Sequence, residues 1–79
     1  MRMPMYSIYD AVAEVFHKPF TAHNDADAYR GFLRGAEEHK ASKVDFFLYN
    51  VGEWNDATGE MSPKIPVRVA IDQRESEAA

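Results

Sequence analysis

The sequence predicts an α+β fold in which a small antiparallel sheet of three to five strands packs on one central helix, about residues 24–40. Residues 24–40 place apolar side chains at helical spacing. Residues 5–9, 43–54 and 67–71 are rich in aromatic and β-branched residues, and apolar side chains alternate along the last of them. We therefore expect the order strand or hairpin, helix, hairpin, strand.

The first strand is predicted at residues 5–9, MYSIY. Residues 11–16, AVAEVF, either continue this strand or form a second strand after a bend at Asp10 and Ala11. Pro19 lacks the backbone N–H that a sheet ladder uses, so we expect it at a sheet edge or at a strand end.

The helix is predicted to begin at Asn24, a good N-cap residue, with Asp25 and Asp27 near the positive end of the helix dipole. Gly31 and Gly35 lie inside this helix on one face, where each costs about 1 kcal/mol relative to alanine. Three interpretations remain open for them: close packing against the sheet, contact with a partner helix, or a local weakness of the helix.

The segment KVDFFLYNVGEW, residues 43–54, is the clearest strand of the chain. Both of its faces are apolar, because Phe46 and Leu48 lie on one and Phe47 and Tyr49 on the other. A sheet covered on one side by one helix leaves its second face open to water. We expect a dimer partner or the N-terminal segment to cover that face, or else the face stacks single-stranded bases.

The turn NDATGE follows, and Gly59 is expected to adopt the left-handed conformation that closes it. Pro63 and Pro66 interrupt the return arm. The last strand is predicted at residues 67–71, VRVAI, with Val67, Val69 and Ile71 facing inwards and Arg68 facing outwards.

Size and charge limit the classes of protein. Seventy-nine residues predict a single α+β domain over residues 1–71 and a flexible acidic tail over residues 72–79. A core this small has about 3–5 kcal/mol of stability, and a chain without cysteine has no disulfide to add to it, so we expect a homodimer. The net charge of −4 does not indicate a basic nucleic-acid footprint. No apolar run reaches the roughly 18 residues of a membrane span, which predicts a protein of the cytoplasm.

Candidate catalytic and metal-binding residues are few. His23, Asp25 and Asp27 lie in HNDAD, but a helix points the two carboxylates in different directions, and capping accounts for both. No phosphate-binding loop, nucleophile motif or calcium loop is present in the sequence. We therefore expect a protein without enzymatic activity, cofactor or metal site.

The candidate nucleic-acid-binding residues are aromatic and basic. Aromatic side chains can stack on any base, and basic side chains can contact phosphates. The set comprises Tyr9, Lys18, Arg30, Arg34, Lys43, Phe47, Tyr49, Trp54 and Arg68.

A series of short motifs over about residues 5–62 suggests a family. In order, they are Tyr6, Tyr9 and Asp10; Pro19 and Phe20; Asn24 and Asp25; Arg30 and Phe32; Phe46, Leu48, Tyr49 and Gly52; and Asp56, Thr58, Gly59 and Glu60. In this order and spacing the chain resembles the small nonstructural protein of gokushoviruses, the single-stranded-DNA microviruses of bacteria. MRMP precedes the usual start, and the C-terminal strand and tail are not diagnostic.

The resemblance implies a late role in phage DNA metabolism, outside the coat, in the synthesis and packaging of single-stranded genomes. It implies single-stranded DNA and viral replication or procapsid proteins as partners, in the cytoplasm of the host. The alternative is an acidic protein-interaction module that engages a viral replication protein or a host protein. Salt dependence separates the two, because only phosphate contacts give a steep negative slope.

Overall fold

The computed structural model describes residues 1–38 and 45–70. Within them the chain forms β1 (Arg2–Asp10), β2 (Val15–Phe16), β3 (Phe20–Thr21), α1 (Asp25–Glu38), β4 (Phe46–Asn55) and β5 (Met61–Arg68). The strands form one antiparallel sheet of order β2-β1-β4-β5, and β3 pairs with β1 beside β2.

The predicted fold class is wrong. The sheet is a curled antiparallel half-barrel, not a sheet packed on a central helix, and strand residues outnumber helix residues more than twofold. The reason lies in bulges, which bend strands and increase their twist. Val51 of β4 is left without a partner on β1, since Gly52 pairs with Met5 while Asn50 pairs with Tyr6.

The N-terminal strand is longer than predicted, because Arg2 already pairs with Asn55 at the far end of β4. The amino group of Met1 lies 2.7 Å from Oδ1 of Asp56 in an exposed ion pair. Residues 2–4, which the sequence left outside the first strand, are thus part of the sheet.

The segment after β1 is a broken edge strand. Oδ1 of Asp10 accepts hydrogen bonds from the backbone N–H groups of Val12 and Ala13, which turns the chain back along β1. Phe16 then pairs with Tyr9, and Phe20 pairs with Tyr6. Three residues, 17–19, therefore face two residues of β1, as in a bulge. The expected bend and the expected edge position of Pro19 are confirmed.

Helix α1 begins as the sequence predicts. Oδ1 of Asn24 accepts the N–H of Asp27 at 2.8 Å, and Oδ2 of Asp27 accepts the N–H of His23 at 3.1 Å. This reciprocal pair satisfies two backbone donors at the helix start, much as a capping box does. The last two residues of the predicted helix, 39–40, lie outside the described residues.

The helical glycines do not pack on the sheet. A Cβ atom added at Gly31 or at Gly35 meets no described atom within 4 Å. The interpretation that they allow close approach of the sheet is therefore wrong. Contact with a partner helix stays a prediction.

Strand β5 is an edge strand with two prolines and is longer than the predicted final strand. Its pairing with β4 is interrupted at one point, where the three residues 64–66 lie opposite Val51 alone. Prolines at an edge leave fewer N–H groups available to another strand. Val69 is buried as predicted, but Val67 is 54% exposed, so its inward orientation was wrong. Ile71 lies outside the described residues.

The core joins the sheet to the first turns of the helix. Tyr6 is fully buried, and Leu48 from β4 and Ala28 and Phe32 from α1 belong to the same cluster. The Tyr6 hydroxyl donates a hydrogen bond of 2.6 Å to Oδ1 of Asp25. This bond fixes the beginning of the helix against the middle of the sheet.

The buried Tyr6 hydroxyl makes stability sensitive to alkali. Burial, and then the hydrogen bond to Asp25, raises the pKa of Tyr6 well above its ordinary value of 10.0. The stabilising contribution is complete below about pH 10, where an unfolded tyrosine is neutral, and is lost as the pH rises further. We expect Tyr6→Phe to cost about 1 kcal/mol at neutral pH and to reduce this alkaline loss.

The measurement is the free energy of unfolding in urea at several pH values from neutral to alkaline, for the wild type and Tyr6→Phe. The two proteins share every other side chain, so the difference between the two curves isolates Tyr6. Parallel curves over the whole range would contradict the proposed role of its hydroxyl.

Candidate nucleic-acid interface

The cross-strand register collects aromatic side chains on one face of the sheet. Residues directly opposite each other in a ladder project to the same face. Tyr9 pairs with both Phe47 and Phe16, and Tyr49 pairs with Arg68. We call Tyr9, Phe16, Phe47, Tyr49 and Arg68 the aromatic face.

Three rings of the aromatic face contact one another. The centroids of Tyr9 and Phe16 are 4.8 Å apart, and those of Phe16 and Tyr49 are 5.4 Å apart at 69°. Tyr9 and Tyr49 meet edge to face at 6.3 Å and 84°. Tilted and edge-to-face pairs are the favoured geometries of aromatic contact, so the rings hold each other in place.

The aromatic face is accessible to a ligand. Phe16 is 43% exposed, and Tyr9, Phe47 and Tyr49 are half-buried. The face alternates along β1 and β4 with the core residues Ile8 and Leu48. The rings therefore lie on the side of the sheet opposite the hydrophobic core.

Arg68 brings a positive charge to this face. Its guanidinium carbon lies 4.3 Å from the centroid of the Phe47 ring, a cation–π geometry. A guanidinium held in this way presents a flat surface on which a base can stack and donors for a phosphate. The aromatic face thus combines the two side-chain types that bind single strands.

An open apolar groove of about 360 Å³ lies between α1 and the strands β4 and β5. Phe47 and Arg68 are among its lining residues. Its other lining residues are Tyr29, Phe32, Leu33, Phe46, Leu48 and Val69. We call this feature the apolar groove.

Comparison with known proteins identifies the family. The family model described as Phage ORF5 protein matches residues 3–76, nearly the whole chain. The chain belongs to this family. No curated protein and no solved structure matches it.

Membership of the Phage ORF5 family establishes a bacteriophage protein. Family membership therefore supports the phage part of the resemblance seen in the sequence. It does not extend to the finer assignment to gokushoviruses. Among the residues that the structure describes, no helix is long and apolar enough to cross a membrane.

The structure brings together four of the nine candidate residues. Tyr9, Phe47, Tyr49 and Arg68 lie on the aromatic face. Lys18 is exposed two residues beyond Phe16, at the same sheet edge. Lys43 lies outside the described residues.

Three other candidates lie away from the aromatic face. Arg30 is on the helix, where its Nη2 donates to Oδ1 of Asp27 at 2.8 Å, and the exposed Arg34 lies one turn further along. Trp54 is half-buried five residues beyond Tyr49, which is roughly 16 Å along a strand, and pairs with Met3.

The role of the HNDAD segment is structural in this fold. The hydrogen bond from the His23 backbone N–H, followed by that from Arg30, holds the pKa of Asp27 below its ordinary value. Among the described residues no three histidine, aspartate or glutamate side chains are grouped to hold a metal ion.

Phe16 belongs to the site, although the sequence did not place it there. Its position depends on the one-residue bulge at residues 17–19, which sets the register with β1. One signal in the sequence could have indicated this. Proline in a sheet is found at edges and bulges, so an irregular pairing near Pro19 was to be expected, and Phe16 lies three residues before it.

Proposed function

We propose that this phage protein is a nonenzymatic, nonstructural protein that binds single-stranded DNA during the synthesis and packaging of a gokushovirus genome, in the cytoplasm of the bacterial host. The observation that carries the proposal is the aromatic face, in which four accessible rings and one arginine share a sheet surface. Family membership supports the phage setting.

The chemistry of the aromatic face favours single strands over duplexes. Bases of a single strand can be unstacked and laid on aromatic rings, whereas those of a duplex are stacked on each other. A duplex binder relies on a basic surface, and this chain carries a net charge of −4. Stacking therefore supplies most of the affinity in this proposal.

Phosphate contacts make a smaller contribution. Arg68 lies on the aromatic face, and Lys18 is exposed two residues beyond Phe16. Two phosphate contacts to a single strand give a salt slope of about −1.4, since each contributes about −0.7.

Binding is tested by fluorescence anisotropy of a labelled single-stranded oligonucleotide, titrated with the protein at several salt concentrations. A duplex of the same length is the control. We expect saturable binding of the single strand, weaker binding of the duplex, and a shallow negative dependence on salt. Absence of saturation at tens of micromolar protein would contradict the proposal.

Strand β5 favours a second candidate function, the acidic protein-interaction module. All eight of its residues are exposed, and three are large and apolar: Met61 is 58% exposed, Ile65 86% and Val67 54%. Exposed apolar surface of this kind is common at protein interfaces. A viral replication or procapsid protein, a host protein, or a second copy in a homodimer would fit it. Such binding depends little on salt, which separates it from phosphate contact.

A further inference from the structure

Four members of the aromatic face form a row that crosses the sheet. Phe16 on β2 is opposite Tyr9 on β1, and Tyr9 is opposite Phe47 on β4. The guanidinium of Arg68 on β5 lies 4.3 Å from the centroid of the Phe47 ring and completes the row. Each of the four neighbouring strands therefore contributes one side chain, and the row runs across the strands and not along them.

Along the strands in one direction, the aromatic face ends at residues that offer no surface to a base. The next two residues of the same face on β1 are Ser7 and Met5, which are only 3% and 9% exposed. The Ser7 hydroxyl is already used, since it donates to the backbone carbonyl of His17 at 2.7 Å. Trp54 pairs with Met3, beyond these two residues, so a covered part of the sheet separates it from the rings.

In the other direction, the aromatic face ends at two carboxylates. Asp10 is the last residue of β1, and Asp45 directly precedes β4. The backbone N–H of Ala11 donates to the backbone carbonyl of Asp45 at 2.8 Å, which holds the two chain segments together. Carboxylates repel the phosphates of a nucleic acid. The basic side chains lie instead at the two ends of the row, with Arg68 at one end and the exposed Lys18 at the other.

We propose that the bound single strand crosses the sheet along this row, between Lys18 and Arg68, and that the site takes only about three to four nucleotides. The inference rests on the proposed single-strand binding and adds the path and the length of the ligand. Neighbouring strands are about 4.8 Å apart, so the row from β2 to β5 spans about 14 Å. A stacked nucleic-acid strand advances about 3.4 Å per nucleotide and an unstacked one advances more, which limits the site to about four nucleotides.

The length of the site is measured by competition. Unlabelled oligothymidylates of increasing length, from the dinucleotide upwards, displace a long labelled oligothymidylate from the wild-type protein, and fluorescence anisotropy follows the displacement. We expect the affinity to rise steeply up to about four nucleotides, because each added nucleotide gains a contact in the row. Beyond that length it should rise only in proportion to the number of positions that the site can occupy along the strand.

The path is tested by Phe16→Leu and Trp54→Leu, a matched pair in which each variant loses one ring and keeps apolar volume. Phe16 lies in the row, whereas only a strand that runs along β4 would reach Trp54. We expect Phe16→Leu to weaken binding of the long oligothymidylate about fivefold or more, as the loss of one stacked base does. Trp54→Leu should bind as the wild type does, and circular dichroism confirms that each variant is folded.

An affinity that keeps rising steeply well beyond four nucleotides would overturn the proposed path, and so would a loss in Trp54→Leu as large as that in Phe16→Leu. If the wild type still binds the long strand in that case, the proposed function stands with a different path. Failure of the wild type to bind the long strand would overturn both. The length measurement uses the wild type alone, so it decides the question even if a variant does not fold.

Discussion

Gly52→Ala is expected to remove most of the stability of the fold, at a cost of about 3 kcal/mol or more. Gly52 has a φ of +149°, a conformation that L side chains rarely adopt. A Cβ atom built there would lie 2.3 Å from the carbonyl oxygen of Ser62 and 3.0 Å from Cα of Pro63. These are backbone atoms of β5, so the clash is relieved only by moving the strand.

The clash lies where the sheet bends. Gly52 pairs with Met5 on one side and with Pro63 on the other, directly after the unpaired Val51. A shift of β5 therefore disturbs the bulge on which the curl of the half-barrel depends. A core of this size has only about 3–5 kcal/mol in reserve, so the variant is expected to be largely unfolded at ordinary temperature.

Two other glycines supply controls for Gly52→Ala in urea unfolding followed by circular dichroism. Gly59 has a φ of +78° but open space around it, so Gly59→Ala is expected to cost about 1–2 kcal/mol from backbone strain alone. Gly31 lies in a helix with open space, and Gly31→Ala should stabilise by about 1 kcal/mol. A Gly52→Ala variant no less stable than Gly59→Ala would contradict the close approach of β5.

Local signals in the sequence predicted the parts of the fold that local chemistry controls. The amide of Asn24 caps the helix, Gly59 closes the turn, and Pro19 lies at an edge, all as expected. Each of these depends on one residue and its immediate neighbours. They do not depend on how distant strands align.

The curl of the sheet was not predictable in the same way, because it arises from register shifts between distant strands. One signal was available: a single glycine, Gly52, inside an otherwise strong strand indicates a bulge or close backbone approach. Read in that way, it predicts bending of β4, though not the half-barrel.

The candidate site also combines residues that local sequence signals predicted with residues that only strand pairing brings in. Alternation along β4 placed Phe47 and Tyr49 on one face without knowledge of the fold. Phe16 and Arg68 join them only through pairing with other strands. Arg30 does not join them, because it lies on the helix and pairs with Asp27 three residues earlier, a common helical ion-pair spacing.

Replacing Phe47 and Tyr49 together with alanine is expected to weaken single-strand binding by about 30-fold or more. Each base stacked on an aromatic side chain contributes about 1–3 kcal/mol, so two lost stacks remove at least about 2 kcal/mol. Anisotropy titration of the same labelled oligonucleotide, for the wild type and the double variant, measures the change. Equal affinities would contradict stacking on this face.

A loss of binding has to be separated from a loss of structure. Phe47 and Tyr49 are half-buried and lie outside the core cluster of Tyr6, Leu48 and Phe32, so their truncation leaves that cluster intact. The variant in which both are leucine keeps apolar area on the sheet but has no aromatic ring. It should remain folded and still lose most of the affinity.

The matched control removes apolar side chains from another part of the sheet. Met61 and Ile65 are strongly exposed on β5, and replacing both with alanine should leave DNA binding unchanged. Weakened binding in this control, with unchanged binding in the aromatic variants, would instead place the contact surface on β5.

The salt dependence then distinguishes the two kinds of contact within the aromatic face. The number of phosphates neutralised sets the slope of affinity against salt, and stacking sets the affinity at a given salt concentration. The double alanine variant keeps Arg68 and Lys18, so its affinity should fall while its slope stays near that of the wild type. Arg68→Ala should lower the affinity and also make the salt slope shallower, because the guanidinium lies over Phe47 and also carries the charge. A slope that changed in the double variant but not in Arg68→Ala would mean that the strand follows basic residues elsewhere on the protein.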